Sequence, residues 1–257
     1  MAARDDIANA LRKARASGGP ALVAYLTAGF PNKEKFATNL RAAAAVADVI
    51  EIGVPFSDPM ADGPTIQRSS RAALEQGVSL KWILSFLADQ SLKTASPVLL
   101  MTYLNPLLAF GFANLVTAAK SAKVSGFIVP DLPFEECSEL RDALDQEGLA
   151  LVQLVTPVTP DDRLAMLCKA SRGFVYAVTM TGTTGKSASV REALDYLARV
   201  RKVSALPVCA GFGIRNRDQV KLLADHVDGV VIGSALVEVL ERGEDAAEFL
   251  RSLRGDA

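Results

Sequence analysis

One carboxylate lies inside an otherwise apolar segment of this 257-residue chain. Glu51 stands in the middle of the run Val-Ile-Glu-Ile-Gly at residues 49–53, which has the composition of a buried strand. Burial disfavours the charged form of a carboxyl group, so an unpaired Glu51 would have a raised pKa and would suit general acid–base catalysis near neutral pH. The alternative is a structural ion pair between Glu51 and a buried arginine or lysine.

Two further carboxylates follow in the next segment. Asp58 and Asp62 lie among the proline and glycine residues of 54–64. Either could be a second catalytic carboxylate, and either could be a turn or helix-capping residue, a role in which aspartate is common. The spacing alone does not choose between them.

Glycine-rich segments near the C-terminus are typical of a phosphate site. Residues 210–215 read Ala-Gly-Phe-Gly-Ile-Arg, and residues 231–235 read Val-Ile-Gly-Ser-Ala and open a predicted helix. Glycine lets backbone N–H groups approach an anion, and a helix N-terminus attracts negative charge. The alternative is that these glycines only permit turns. Their position after two late strands favours phosphate binding.

Several other chemistries are disfavoured by the residue types present. The single histidine, His226, is predicted at a helix end and cannot build a multi-histidine metal site. The predicted strands contain no lysine for a Schiff base, and the nearest candidate is Lys186. Gly185-Lys186-Ser187 resembles the end of a P-loop, but Met180 stands where the first glycine is required, so we expect a mobile lid there. Glu51, Asp58, Asp62 and Asp131 could bind Mg²⁺, but nothing requires it, and we predict no metal.

Composition limits the setting in which these residues work. Lysine and arginine number 28 against 29 aspartates and glutamates, so no basic excess points to nucleic acid. No stretch approaches the roughly 20 apolar residues of a membrane span, and the N-terminus lacks the apolar core of a secretory signal. The three cysteines, Cys137, Cys168 and Cys209, form no CxxC pair. These features predict a cytoplasmic protein without a disulfide framework.

The elements that must position these groups alternate between short apolar runs and helical segments. The strand-like runs lie at 21–27, 49–53, 97–102, 126–129, 150–155, 173–178, 207–210 and 229–232. Eight β-then-α units without a linker predict an α/β fold, a (β/α)8 TIM barrel forming one domain over residues 1–257. An open, doubly wound sheet is the alternative. A helix near 4–16 precedes the first strand and is expected to cap the bottom of the barrel. In such a barrel the site lies at the C-terminal strand ends.

The sequence closely resembles the tryptophan synthase alpha subunit family. The segment IEIGVPFSDPMADGPTIQRSS around Glu51 carries most of the resemblance, with matches at 25–31, 101–106, 129–133 and 211–214. The resemblance implies a barrel lyase that cleaves indole-3-glycerol phosphate to indole and glyceraldehyde 3-phosphate. Glu51 would be the general acid/base, and Asp62 would face the indole N–H. No metal or organic cofactor is implied for this chain.

The same resemblance implies roles for further residues. The substrate phosphate would be bound by Gly185, Gly213, Gly233 and Ser234. The indole pocket would comprise Tyr25, Leu100, Tyr103, Tyr176, Phe212 and Ile232, although barrel packing explains any one of these aromatic residues almost as well. Thr184 would couple closure of the sixth loop to Asp62. Met180 stands where a basic residue is common in the family, so we expect the sixth loop to close differently and to couple differently to a partner, and Pro130 stands where many members have alanine.

A partner is also implied. Family members work with a pyridoxal-phosphate (PLP) β subunit in an α2β2 heterotetramer, which takes the indole and joins it to serine. Loops 54–62 and 179–189 would signal to that partner, so the isolated chain is expected to be a poor catalyst. The alternatives are a free-standing indole-3-glycerol phosphate lyase, a weakly catalytic chain kept as an allosteric partner, and a generic phosphosugar aldolase or isomerase.

Overall fold

Eight parallel strands close into a barrel in the computed structural model, which describes residues 2–89, 94–179, 190–211 and 213–255. Each strand pairs with its neighbour in chain order, and the last strand pairs with the first. The strands are β1 (Ala21–Thr27), β2 (Val49–Gly53), β3 (Val98–Met101), β4 (Val124–Ile128), β5 (Ala150–Val155), β6 (Val175–Val178), β7 (Val208–Gly211) and β8 (Gly229–Ile232). Closure confirms the predicted (β/α)8 barrel and excludes the open sheet.

Helices connect the strands and cover the outside of the barrel. They are α1 (Ala3–Ala16), α2 (Lys33–Ala44), α3 (Pro64–Glu75), α4 (Leu80–Ala88), α5 (Leu104–Phe110), α6 (Phe112–Ser121), α7 (Ser138–Gln146), α8 (Asp161–Ala170), α9 (Val190–Val203), α10 (Arg217–Leu223), α11 (Ser234–Glu241) and α12 (Ala246–Arg254). A 3-10 turn at Phe134–Glu136 precedes α7. Two helices rather than one connect β3 to β4, because Gly111 adopts a φ of 78° between α5 and α6.

Alternation along each strand divides the buried side chains into two layers. Inside the barrel, residues such as Val23, Val49 and Leu99 pack together, while their neighbours in sequence pack outward against the helices. Both faces of the sheet are therefore covered, which explains why the strands read as nearly continuous apolar runs.

The N-terminal helix closes the bottom of the barrel, as predicted. Ile7 and Leu11 of α1 are fully buried and belong to the inner layer of the barrel. Two glycines make room for them, since a Cβ at Gly173 would lie 3.1 Å from Ile7 Cδ1 and a Cβ at Gly229 would lie 3.3 Å from Leu11 Cδ2. Each buried side chain contributes about 1.5–3 kcal/mol. The opposite end is left for a binding site.

Within the described ranges, no helix has the length and apolar character needed to cross a lipid bilayer.

Candidate active site

A cavity of about 170 Å³ opens at the carboxyl ends of the strands. It is bounded by β1, β2, β3, β6 and β8 and by the segments that follow β2, β7 and β8. Its lining residues are Tyr25, Glu51, Asp62, Gly63, Ile66, Met101, Tyr176, Gly213, Ile214, Arg215, Val231, Gly233, Ser234 and Ala235. The barrel therefore brings together both predicted carboxylates and three of the four predicted phosphate-binding residues.

Glu51 points into the barrel from the middle of β2. Its neighbours in the sheet are Tyr25 on β1 and Leu99 on β3. The side chain is 1% exposed, and its Oε2 atom has no hydrogen-bond partner among the described residues. No ion pair in the described part of the chain includes Glu51, which disfavours a structural ion pair at this position. Burial, followed by the nearby charge of Asp62, raises the pKa of Glu51 to about 8, so the carboxyl group is mostly protonated at neutral pH.

The structure separates the two aspartates that the spacing left equivalent. Asp62 lines the cavity and is half-buried, whereas Asp58 is exposed and lies outside the lining. Burial raises the pKa of Asp62, and a hydrogen bond from Tyr103 opposes that shift because it stabilises the ionised form.

Tyr103 holds the segment between β2 and α3 rather than lining the cavity. Its hydroxyl accepts a hydrogen bond from the Ala61 N–H at 3.0 Å and donates one to the Asp62 carboxylate. Its ring stacks on Phe56 with a centroid separation of 5.1 Å. Both ends of the segment thus contact one tyrosine. Sequence reasoning assigned Tyr103 to the indole pocket and missed this positioning contact.

The start of α3 fixes the other side of Asp62. Gly63 is the N-cap, and Pro64 occupies the first turn, where its missing N–H costs nothing. The Gln67 side chain donates to the Asp62 carbonyl at 2.8 Å. Deeper in the helix, the buried hydroxyls of Ser69 and Thr27 lie 2.7 Å apart and tie α3 to β1. The Asp62 carboxylate therefore lies on a turn that hydrogen bonds hold in place.

Glycines that follow β7 and β8 form another part of the cavity lining. Gly213 follows β7 with a φ of 94°, and Gly233 immediately precedes α11, with open space where a Cβ would lie. Ser234 is the first residue of that helix. Backbone N–H groups at a helix N-terminus, together with a serine hydroxyl, are suited to binding a phosphate.

The predicted indole-pocket residues do not all reach the cavity. Tyr25 and Tyr176 line it, but Leu100 and Ile232 pack outward with the helix-facing layer. The reason is the two-residue period of a strand, which places Met101 and Val231 on the inner face instead. Because Leu99 is the β3 residue paired with Glu51, the register between β2 and β3 places Met101, two residues later, on the inner face as well.

Several expectations concern residues that the structure does not describe. Thr184, Gly185, Lys186 and Met180 lie in 180–189, and Phe212 is also outside the described residues.

Of the remaining candidates, His226 is half-buried just after α10, near the helix end as predicted, and its backbone N–H donates to the Leu223 carbonyl. Asp131 accepts the Leu104 N–H at 2.9 Å and so caps α5. Among the described residues no cluster of three or more histidine, cysteine or acidic side chains could hold a metal ion.

Comparisons with known proteins agree with this architecture. The family model for the tryptophan synthase alpha chain matches residues 11–254. The chain is 45% identical over 244 residues to the tryptophan synthase alpha chain of Nitratidesulfovibrio vulgaris, covering 94% of this chain and 95% of the other. It is similar to the crystal structure of tryptophan synthase subunit alpha from Legionella pneumophila, with 30% identity, coverage of 99% and 98%, and a TM-score of 0.89. A chain of the α2β2 tryptophan synthase complex from Pyrococcus furiosus matches at 38% identity, with coverage of 91% and 98% and a TM-score of 0.84. The chain therefore belongs to the tryptophan synthase alpha chain family.

Proposed function

We propose that Glu51 and Asp62 are the two groups with which this chain performs the α reaction, the cleavage of indole-3-glycerol phosphate to indole and glyceraldehyde 3-phosphate. The observation that carries the proposal is the buried, unpaired Glu51 carboxyl group in a cavity that also contains Asp62. A carboxyl group with a pKa of about 8 can donate a proton near neutral pH, and its conjugate base can accept one.

In this mechanism Glu51 acts twice. It first gives its proton to C3 of the indole ring, which produces a cationic indolenine. The bond between that carbon and the hydroxyl-bearing carbon of the side chain then breaks, and its electron pair returns to the ring as indole. The hydroxyl proton passes to the Glu51 carboxylate as the aldehyde forms. The carboxyl group thus ends the cycle protonated, and no cofactor or metal is needed in this chain.

Asp62 would stabilise the charge that develops between these two proton transfers. Positive charge appears on the ring nitrogen when C3 is protonated, and an ionised Asp62 can accept a hydrogen bond from that N–H. The Tyr103 hydroxyl supports the ionised form of Asp62 and fixes its direction. The two carboxyl groups therefore have different tasks in one cavity.

The remaining lining residues would bind the two ends of the substrate. Gly213, Gly233 and Ser234 would hold the phosphate, with Gly185 joining from outside the described residues. Tyr25 and Tyr176 would contact the indole ring. Phe212 and the loop-closing Thr184 remain part of the proposal by family position. The geometry supports Met101 and Val231, rather than Leu100 and Ile232, as the aliphatic contacts.

We further infer that the chain works as one domain with a PLP-dependent β subunit. The P. furiosus relative forms an α2β2 complex whose subunits activate each other. The matches to alpha chains support the α-subunit role and not the free-standing lyase. The three free cysteines, each buried, suit the reducing cytoplasm in which we place the protein.

Indole release from indole-3-glycerol phosphate tests this proposal, measured with the purified chain alone and with a tryptophan synthase β subunit. We expect slow release alone and a large increase with the β subunit. Glu51→Gln and Asp62→Asn should each lower kcat by about 10²–10⁴-fold. Asp58→Asn, on the same loop but outside the cavity, is the matched control and should leave the basal rate of the chain alone unchanged. Full turnover in Glu51→Gln would overturn the assignment.

A further inference from the structure

The charged side chains that line the cavity have to be compared with the negative charge of the substrate phosphate. Two carboxyl groups, Glu51 and Asp62, line it, and Arg215 is the one cation among the described residues of the lining. A phosphate monoester carries between one and two negative charges near neutral pH. Backbone N–H groups supply only partial positive charge, so a full cation near the glycines would add substantially to phosphate binding.

Arg215 is placed beside those glycines and is held by a carboxylate. Its backbone N–H donates to the Gln219 side chain at 2.7 Å, which anchors the main chain at the start of α10. Its guanidinium forms an ion pair with Glu238. Glu238 lies on α11 four residues after Ser234, so it sits one turn beyond the phosphate end of the cavity. Arg215 is about half-exposed and Glu238 is more buried, which leaves the guanidinium as the more accessible partner.

Glu238 is itself fixed in place by a second contact. It accepts a hydrogen bond from the Thr65 hydroxyl of α3 at 3.1 Å. The Arg215 hydrogen bond is the main cause that lowers the pKa of Glu238, so this carboxylate is ionised throughout the neutral range. The ion pair therefore joins the turn after β7 to the helix that begins at the phosphate site.

We propose that Arg215 is a specificity-determining residue that recognises the substrate phosphate, and that Glu238 is the counter-ion that holds it before the substrate binds. The inference rests on the proposed function and adds a residue to it. When phosphate binds, the guanidinium exchanges the Glu238 carboxylate for phosphate oxygens as its hydrogen-bond acceptor. Its planar shape lets it bind two phosphate oxygens at once. Glu238 is then a competitor of the phosphate for Arg215.

This competition predicts opposite effects for the two halves of one ion pair. Arg215→Gln removes the cation and should weaken phosphate binding. Glu238→Gln removes the competing charge, keeps a group that can bond to Thr65, and should strengthen it. A purely structural ion pair would behave differently, because loss of either half would disturb the site in the same direction.

The test is isothermal titration of the full chain with glycerol 3-phosphate, with glycerol as the probe that lacks phosphate. We expect Arg215→Gln to raise the Kd about tenfold, Arg215→Lys to raise it less, and Glu238→Gln to lower it severalfold. Arg68 and Glu241 form an ion pair one turn farther along α3 and α11, outside the cavity lining. Arg68→Gln and Glu241→Gln are the matched controls and should change the Kd less than twofold.

Turnover with the β subunit gives a second readout. Arg215→Gln should raise the KM for indole-3-glycerol phosphate by a similar factor with kcat nearly unchanged, since it removes binding common to the substrate and the transition state. Equal shifts of the same sign for Arg215→Gln and Glu238→Gln, or no shift for either, would overturn the inference while normal wild-type turnover leaves the proposed function standing. Absence of both binding and cleavage in the wild type would instead overturn the proposed function.

Discussion

The two carboxyl groups of the cavity differ in what surrounds them. Glu51 is buried on a strand with an oxygen that no described residue satisfies, and its pKa is raised to about 8. Asp62 lies on a loop, and the Tyr103 hydroxyl works against the effect of its burial. When two titratable groups have different environments, one can act as the acid while the other stays ionised and stabilises charge. This difference supports the proposal that Glu51 transfers protons and Asp62 stabilises charge.

The raised pKa of Glu51 also makes a prediction for stability. The unfolded chain releases this proton near the ordinary glutamate pKa of 4.5, whereas the folded chain keeps it until about pH 8. The free energy of unfolding therefore falls as the pH rises between these values, by an amount on the order of a few kcal/mol. Glu51→Gln should lack this loss. Urea denaturation at pH 5 and pH 8.5 measures the free energy of unfolding of both proteins. From pH 5 to pH 8.5 the variant should gain stability relative to the wild type, and the same change in both proteins would contradict the prediction.

At the scale of elements, one residue organises the segment between β2 and α3. Tyr103, just after β3, binds the Ala61 N–H and the Asp62 carboxylate and stacks on Phe56. The middle of the segment makes few buried contacts of its own, since Asp58 and Met60 are exposed. The position of Asp62 therefore depends on a neighbouring strand end, and Tyr103 is a positioning residue.

Tyr103→Phe should preserve the ring stacking and lose both hydrogen bonds. Without the hydroxyl, the Ala61 N–H loses its acceptor and Asp62 is less well oriented. We expect kcat to fall about tenfold, because a misplaced charge-stabilising group stabilises the transition state less well. The pH profile of kcat should also change, since the bond that favours ionised Asp62 is gone. Tyr196→Phe is the control, because it removes a buried hydroxyl that donates to the Val155 carbonyl away from the cavity. Unchanged kcat and pH profile in Tyr103→Phe would contradict the prediction.

In the whole molecule, stability and function lie at opposite ends of the barrel. The α1 side chains Ile7 and Leu11 close the bottom, while the cavity opens at the carboxyl ends of the strands. Such a division lets loops carry the chemistry on a rigid framework. Changes at the bottom should therefore alter the free energy of unfolding and leave substrate affinity intact.

Leu11→Ala tests that separation. The side chain is fully buried in the inner layer, so its truncation should cost about 2–5 kcal/mol in urea denaturation. The KM for indole-3-glycerol phosphate should remain within about twofold of the wild-type value at a temperature where the variant is folded. Leu222→Ala on the exposed face of α10 serves as the control and should cost less than about 0.5 kcal/mol. A large change in KM for Leu11→Ala would show that the two ends are coupled.

The sequence by itself determined the fold class and the nature of the chemistry. Alternating apolar runs and amphipathic segments are local patterns, and a barrel is the arrangement that covers both faces of every strand. Glu51 was recognisable because a charge inside an apolar strand is costly wherever the strand lies. The glycine-rich segments at 210–215 and 231–235 were recognisable because their backbone properties are local too, and the family resemblance named Gly213, Gly233 and Ser234 within them.

Only the tertiary structure decided which side chains meet. The spacing left Asp58 and Asp62 equivalent and only the family resemblance indicated Asp62, whereas the structure places Asp62 in the cavity lining and leaves Asp58 exposed. It placed Met101 and Val231 at the cavity, since a shift of one residue moves a side chain to the other face of a strand. The contacts of Glu238 with Arg215 and Thr65 span 23 and 173 residues, and no local pattern encodes such pairings. Long-range packing therefore turned a recognisable set of residues into a defined site.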